Sequence, residues 1–152
     1  MTIDLAAILA EADALAPPPL AALGAVDHVG VLVSDLDRLG PELTRLGLLR
    51  GPAIAHPEVG LRIAFADRGP LLLELLSVTS RTSPLAGAPE GLNHVAYRVR
   101  HLRALLASLV GDDRVAVVQP LRRGARGHLI ALLRLRGASG PAVELVDQEE
   151  ER

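Results

Sequence analysis

A chain of 152 residues is long enough for one domain, or for two small halves that share a core. Apolar residues make up 49% of it, yet there is one Phe, one Tyr and no Trp, so the core must be aliphatic. A net charge of −2 with mixed signs gives no electrostatic pull toward nucleic acid or acidic membranes, and the lack of cysteine excludes disulfides and thiolate metal sites.

The first segment does not read as a secretion signal: it carries Asp4, Glu11 and Asp13 where a signal needs a basic start and an apolar run. No stretch approaches the roughly 18 uncharged apolar residues of a membrane span, so the expectation is a soluble cytoplasmic protein. Ile3, Leu5, Ile8, Leu9, Ala12 and Leu15 recur at helical spacing, and Pro17-Pro18-Pro19 ends the pattern. Residues 1–25 therefore read as an extra N-terminal helix with a linker from Leu20 to Ala25, ahead of a domain spanning 26–147. Such a helix could cover a sheet edge or extend a dimer interface.

From there the chain nearly says the same thing twice. Asp27-His28-Val29-Gly30-Val31-Leu32-Val33 and Asn93-His94-Val95-Ala96-Tyr97-Arg98-Val99 each read as a strand rich in Val. A helical segment follows each, Leu36 to Leu46 and Leu102 to Leu109. Two Gly-led strands come next, Gly60 to Phe65 and Gly127 to Leu132. Each half closes on an acid inside an apolar strand, Leu73-Glu74-Leu75-Leu76 and Val143-Glu144-Leu145-Val146, after turns at Gly69-Pro70 and Gly137 to Pro141. The fold class is α+β, built from two βαβββ modules at 26–77 and 92–147.

An acid within aliphatic strand is costly to bury unless it is paired or bound to a metal. Glu74 and Glu144 occupy matching positions, as do His28 and His94. Taken singly, a strand-start histidine is ordinarily a satisfied polar residue, and Glu74 could be an edge acid facing solvent. Taken as a matched quartet, two imidazoles and two carboxylates suit one divalent ion, Zn²⁺, Ni²⁺, Co²⁺, Mn²⁺ or Fe²⁺, with positions left for water or substrate.

The quartet and the repeat resemble the vicinal oxygen chelate superfamily, which includes glyoxalase I, extradiol dioxygenases, fosfomycin and bleomycin resistance proteins and methylmalonyl-CoA epimerases. The resemblance covers about residues 26–147 and is strongest to the epimerase family. That family's Asp-His-Val/Ile-Gly opening is similar to Asp27 to Gly30, and its Glu-Leu-Leu run with a following Asp/Glu-Ser-Pro is similar to Glu74-Leu75-Leu76 and Thr82-Ser83-Pro84. Gly91 to Ala96, Arg122 to Gly127 and Gly140 to Leu145 resemble three further family segments. The resemblance implies a glyoxalase-like half-barrel, a curved mixed sheet around the metal, with His28, Glu74, His94 and Glu144 as ligands. It also implies a homodimer.

Within that superfamily, dioxygenases and fosfomycin resistance proteins use three protein ligands, whereas epimerases and glyoxalase I use four. A fourth ligand at Glu74 therefore favours enolate-type proton transfer next to a carbonyl or thioester, with methylmalonyl-CoA epimerase as the guide and an acyl-CoA as the implied substrate. The sequence departs from the pattern at the acid/base residues: some epimerases carry a glutamate three residues after the glycine matching Gly60, where Ile63 stands here. Strand alternation puts Leu61, Ile63 and Phe65 on one face, and His128, Ile130 and Leu132 on the equivalent face of the second module. His128 is thus a candidate acid/base, or a partly exposed strand-end histidine, and a dissociating Glu74 or Glu144 could itself act as base. Arg98 shares parity with His94 and could clamp an anionic group, and Arg122, Arg123 and Arg126 could meet phosphates, or both sets could be surface arginines. Two other readings remain: a small-molecule-binding or resistance protein using the same cup without turnover, and a tailoring enzyme of secondary metabolism. No phosphate-binding Gly-rich loop, nucleophile elbow or basic aromatic patch competes.

Overall fold

The computed structural model describes residues 3–138 and 140–148. Among them are three α-helices and nine strands, and the chain divides into two compact units. One comprises the chain up to Leu15 together with His28–Asn93; the other comprises Ala16–Asp27 together with the chain from His94 onward.

The first unit begins with helix α1, Leu5–Ala14, whose first turn is closed by the Asp4 carboxylate accepting from the Ala7 amide at 3.0 Å. Its one-sided spacing is used for packing. Leu5 and Ile8 join a buried cluster with Val29, Val31, Leu73 and Leu75, so the helix covers a sheet face rather than an edge. The sheet it covers is ordered β2 (Leu49–Arg50), β4 (Leu61–Arg68), β5 (Leu71–Val78) and β1 (Leu23–Leu32), with β3 (Ile54–His56) also paired to β4. β1 and β5 run parallel, with Gly30 beside Glu74, and β4 and β5 run antiparallel, with Phe65 beside Glu74.

That register sorts the side chains. Val29, Val31, Ala64, Ala66, Leu73 and Leu75 fill the helix-side core, so His28, Glu74, Leu61, Ile63 and Phe65 share the opposite face, as alternation requires. The helical segment expected over Leu36 to Leu46 is instead a 3₁₀ turn, Leu36–Leu39, followed by a six-residue α2, Gly40–Arg45. Gly40-Pro41 accounts for the break, because Pro41 has no amide to continue the first hydrogen-bonded run.

Gly60 closes the turn into β4 with φ of +62°, and a Cβ there would stand 3.0 Å from the Cβ atoms of both Ser80 and Ser83. Its carbonyl accepts from the Thr79 amide at 2.9 Å. Gly60→Ala is therefore expected to lower unfolding free energy by about 1–3 kcal/mol in urea denaturation, combining left-handed backbone strain with displacement of the serine turn.

The second unit has strand order β6 (Gly91–Val99), β9 (Ala142–Asp147), β8 (Leu129–Leu135) and β7 (Val115–Arg123). β6 and β9 are parallel, with Ala96 beside Glu144; β8 and β9 are antiparallel, with Leu132 beside Glu144. Helix α3, Leu102–Ser108, starts at a carboxylate: buried Asp147 accepts from the Leu102 amide at 3.1 Å. Each unit thus builds the same mixed sheet, in which the strand bearing the histidine lies parallel to the strand bearing the glutamate.

β1 starts four residues before Asp27, so part of the expected Leu20 to Ala25 linker is strand, entered through Ala22 at φ of +66°. Leu23–Asp27 of this strand belongs to the second unit and the remainder to the first.

Candidate metal site

The first unit brings His28 and Glu74 together. They lie on adjacent parallel strands, with His28 Nε2 4.0 Å from Glu74 Oε2, and they are 3% and 8% exposed. The second unit brings His94 and Glu144 together in the same way: Nε2 to Oε2 is 3.6 Å, at 4% and 6% exposed. Neither separation is a hydrogen bond. Each pair places an imidazole nitrogen and a carboxylate oxygen in a setting where a carboxylate needs a positive counterpart.

The donor set fits a borderline transition metal. Imidazole nitrogen and carboxylate oxygen from buried, regular strands are the ligands such ions take, and without cysteine the chain has no thiolate to offer.

Asp27, the residue before His28, has a role the reading of the sequence did not assign. It is 7% exposed, and its Oδ1 accepts from Arg98 Nε at 3.0 Å while its Oδ2 is paired with Arg126. Arg98 does share a face with His94 and Glu144, since it stands beside Val146 two positions along β9 from Glu144. Its guanidinium is held by Asp27. Arg123 donates to the carbonyl of Gly127 at 3.0 Å and so ties down its own turn. Arg122 similarly bonds Gln119 and the Arg123 carbonyl. His128 is half-buried at the foot of β8, and its carbonyl accepts from the Gly124 amide at 2.8 Å. It has the parity of Ile130 and Leu132, which stand beside Val146 and Glu144.

Similarity to known proteins agrees with this architecture. The model of the glyoxalase/bleomycin resistance protein/dioxygenase superfamily matches residues 27–132, and the chain belongs to that superfamily. Within it, the chain is related to methylmalonyl-CoA epimerases. The human mitochondrial enzyme of that name is 28% identical over 129 residues, covering 81% of this chain and 73% of the relative. A methylmalonyl-CoA epimerase from Streptomyces coelicolor, solved with 2-nitronate-propionyl-CoA, is 28% identical with a TM-score of 0.67, covering 82% of this chain and 97% of the other. A hypothetical protein from Bacillus halodurans C-125 is 27% identical with a TM-score of 0.72, covering 84% and 96%. The fold is therefore glyoxalase-like, with α1 as an added N-terminal helix. Among the described residues, no helix is long and apolar enough to cross a membrane.

Proposed function

We propose that His28, Glu74, His94 and Glu144 together hold one divalent transition metal (Co, Ni, Zn, Mn or Fe), and that the protein is a metal-dependent epimerase or isomerase. Its reaction is enolate-type proton transfer at a carbon next to a carbonyl or thioester, as in methylmalonyl-CoA epimerase. The observation that carries this reading is the pair of buried imidazole–carboxylate couples at equivalent positions of two like sheets. The relatives named as methylmalonyl-CoA epimerases support the choice of reaction.

The cation would supply Lewis acidity at the substrate's carbonyl oxygen, which makes the adjacent C–H acidic. The chain's own residues must then move the proton. Glu74 and Glu144 are the carboxylates at hand, and His128 is the titratable side chain of matching parity at the foot of β8. Arg98 and Arg123 would meet the anionic parts of an acyl-CoA after exchanging their present partners, Asp27 and the Gly127 carbonyl. The working unit is the 26–147 domain, as a cytoplasmic homodimer.

In D₂O, metal-loaded protein is expected to exchange the α-hydrogen of methylmalonyl-CoA or a related acyl thioester, read by mass spectrometry, with His128→Ala about tenfold to a hundredfold slower. A second reading, a binding or resistance protein, is favoured by one observation: Ile63, 7% exposed, stands where the epimerase resemblance expects a glutamate. Absence of exchange across the thioester series, with metal bound, would decide for that reading.

A further inference from the structure

The face that carries His28 and Glu74 is chemically lopsided. On one side of Glu74 lie Leu72 and, beside it in register, the exposed Asp67. On the other side the residues of β1, β4 and β5 are hydrocarbon as far as Leu61, beside which half-buried His56 of β3 ends the row. Phe65 stands directly across from Glu74, Ile63 across from Leu76, and Leu61 one step further along β4. Leu32 stands beside Leu76 on β1. Ile63, Leu76, Leu61 and Leu32 are all buried, while Phe65, the chain's sole phenylalanine, is half-buried and so still presents surface. Among the described residues of β1, β4 and β5, no charged side chain shares this part of the face.

We infer that this side of the site is a hydrocarbon subsite, and that the substrate carries an aliphatic chain beside its metal-chelating oxygens. The inference rests on the metal reading above and narrows it. A charged or strongly hydrated group placed against Phe65, Ile63 and Leu76 would lose its water and find no partner on these strands, whereas each methylene placed there is removed from water at a gain. Ile63 is the residue that sets this preference, being the middle member of the β4 row.

The test uses Co²⁺-loaded protein and simple hydroxamates, whose two oxygens chelate the metal while the tail samples the face. Metal content is measured on the same samples. From acetohydroxamate to butyro- and hexanohydroxamate, affinity is expected to rise about fourfold per added methylene. Succinic monohydroxamate, with a carboxylate at its end, is expected to bind at least about tenfold more weakly than butyrohydroxamate. Ile63→Glu should reduce hexanohydroxamate affinity about tenfold or more relative to acetohydroxamate on the same variant, with unchanged Co²⁺ content and circular dichroism showing that fold and metal are intact. A flat series, or tighter binding of the succinic compound, with metal bound, overturns the hydrocarbon subsite and leaves the metal site standing. Failure to take up Co²⁺ together with failure to bind any hydroxamate overturns both.

Discussion

Purified protein is expected to carry about one equivalent of a divalent transition metal per chain, and His28→Ala and Glu74→Ala are each expected to weaken its retention about a hundredfold or more. The two substitutions act differently. Removing the His28 imidazole deletes a donor but leaves Glu74, 8% exposed, without the neighbour 4.0 Å away. Removing the Glu74 carboxylate deletes both a donor and a charge, so it should cost more for a doubly charged ion. Elemental analysis after dialysis, with reconstitution by Co²⁺, Ni²⁺, Zn²⁺ and Mn²⁺, reads both effects. Wild-type protein that takes up none of these ions would sink the metal reading outright. Retention in Glu74→Ala but not in His28→Ala would reduce the ligand set to three.

The second large effect concerns α1. Leu5 is fully buried and packs, with Ile8, onto the face of the first sheet that alternates with His28 and Glu74. Leu5→Ala should lower unfolding free energy by about 2–5 kcal/mol, the range for a leucine truncated in a core, measured by urea unfolding followed by circular dichroism. Stoichiometry of the proposed metal should be unchanged, because the substitution lies on the other side of β1 and β5 from His28 and Glu74. A loss below about 1 kcal/mol would mean that α1 is dispensable to the first unit.

Residue chemistry explains which features the chain announces and which it hides. Strands β1, β4, β5, β6, β8 and β9 are short runs rich in Val, Leu, Ile and Ala, and all but β1 are entered from a glycine, which marks them as buried strands. The two histidine–glutamate pairs are legible because the duplication repeats a rare combination, a histidine at a strand start and an acid inside an aliphatic strand. β7 is not legible, since Pro120 and two register shifts against β8 interrupt its pattern. β2 and β3 have two and three residues, too few to show any period. The Asp27 clamp is hidden for another reason: its arginines lie 71 and 99 residues away, a separation at which no local pattern operates.

The parallel pairing of β1 with β5, and of β6 with β9, has a kinetic consequence. In each module histidine and glutamate are separated by almost the whole module, 46 residues in the first and 50 in the second. No hairpin can bring them together. The chain must close a long loop before His28 meets Glu74, and such non-local closures are the slow events of folding. Glu144 lies on β9, 50 residues after His94, so a nascent chain cannot assemble the second pair before β9 has emerged. The same closure aligns Val29 and Val31 with Leu73 and Leu75, so uptake of the proposed metal would coincide with formation of the hydrophobic core rather than seed it.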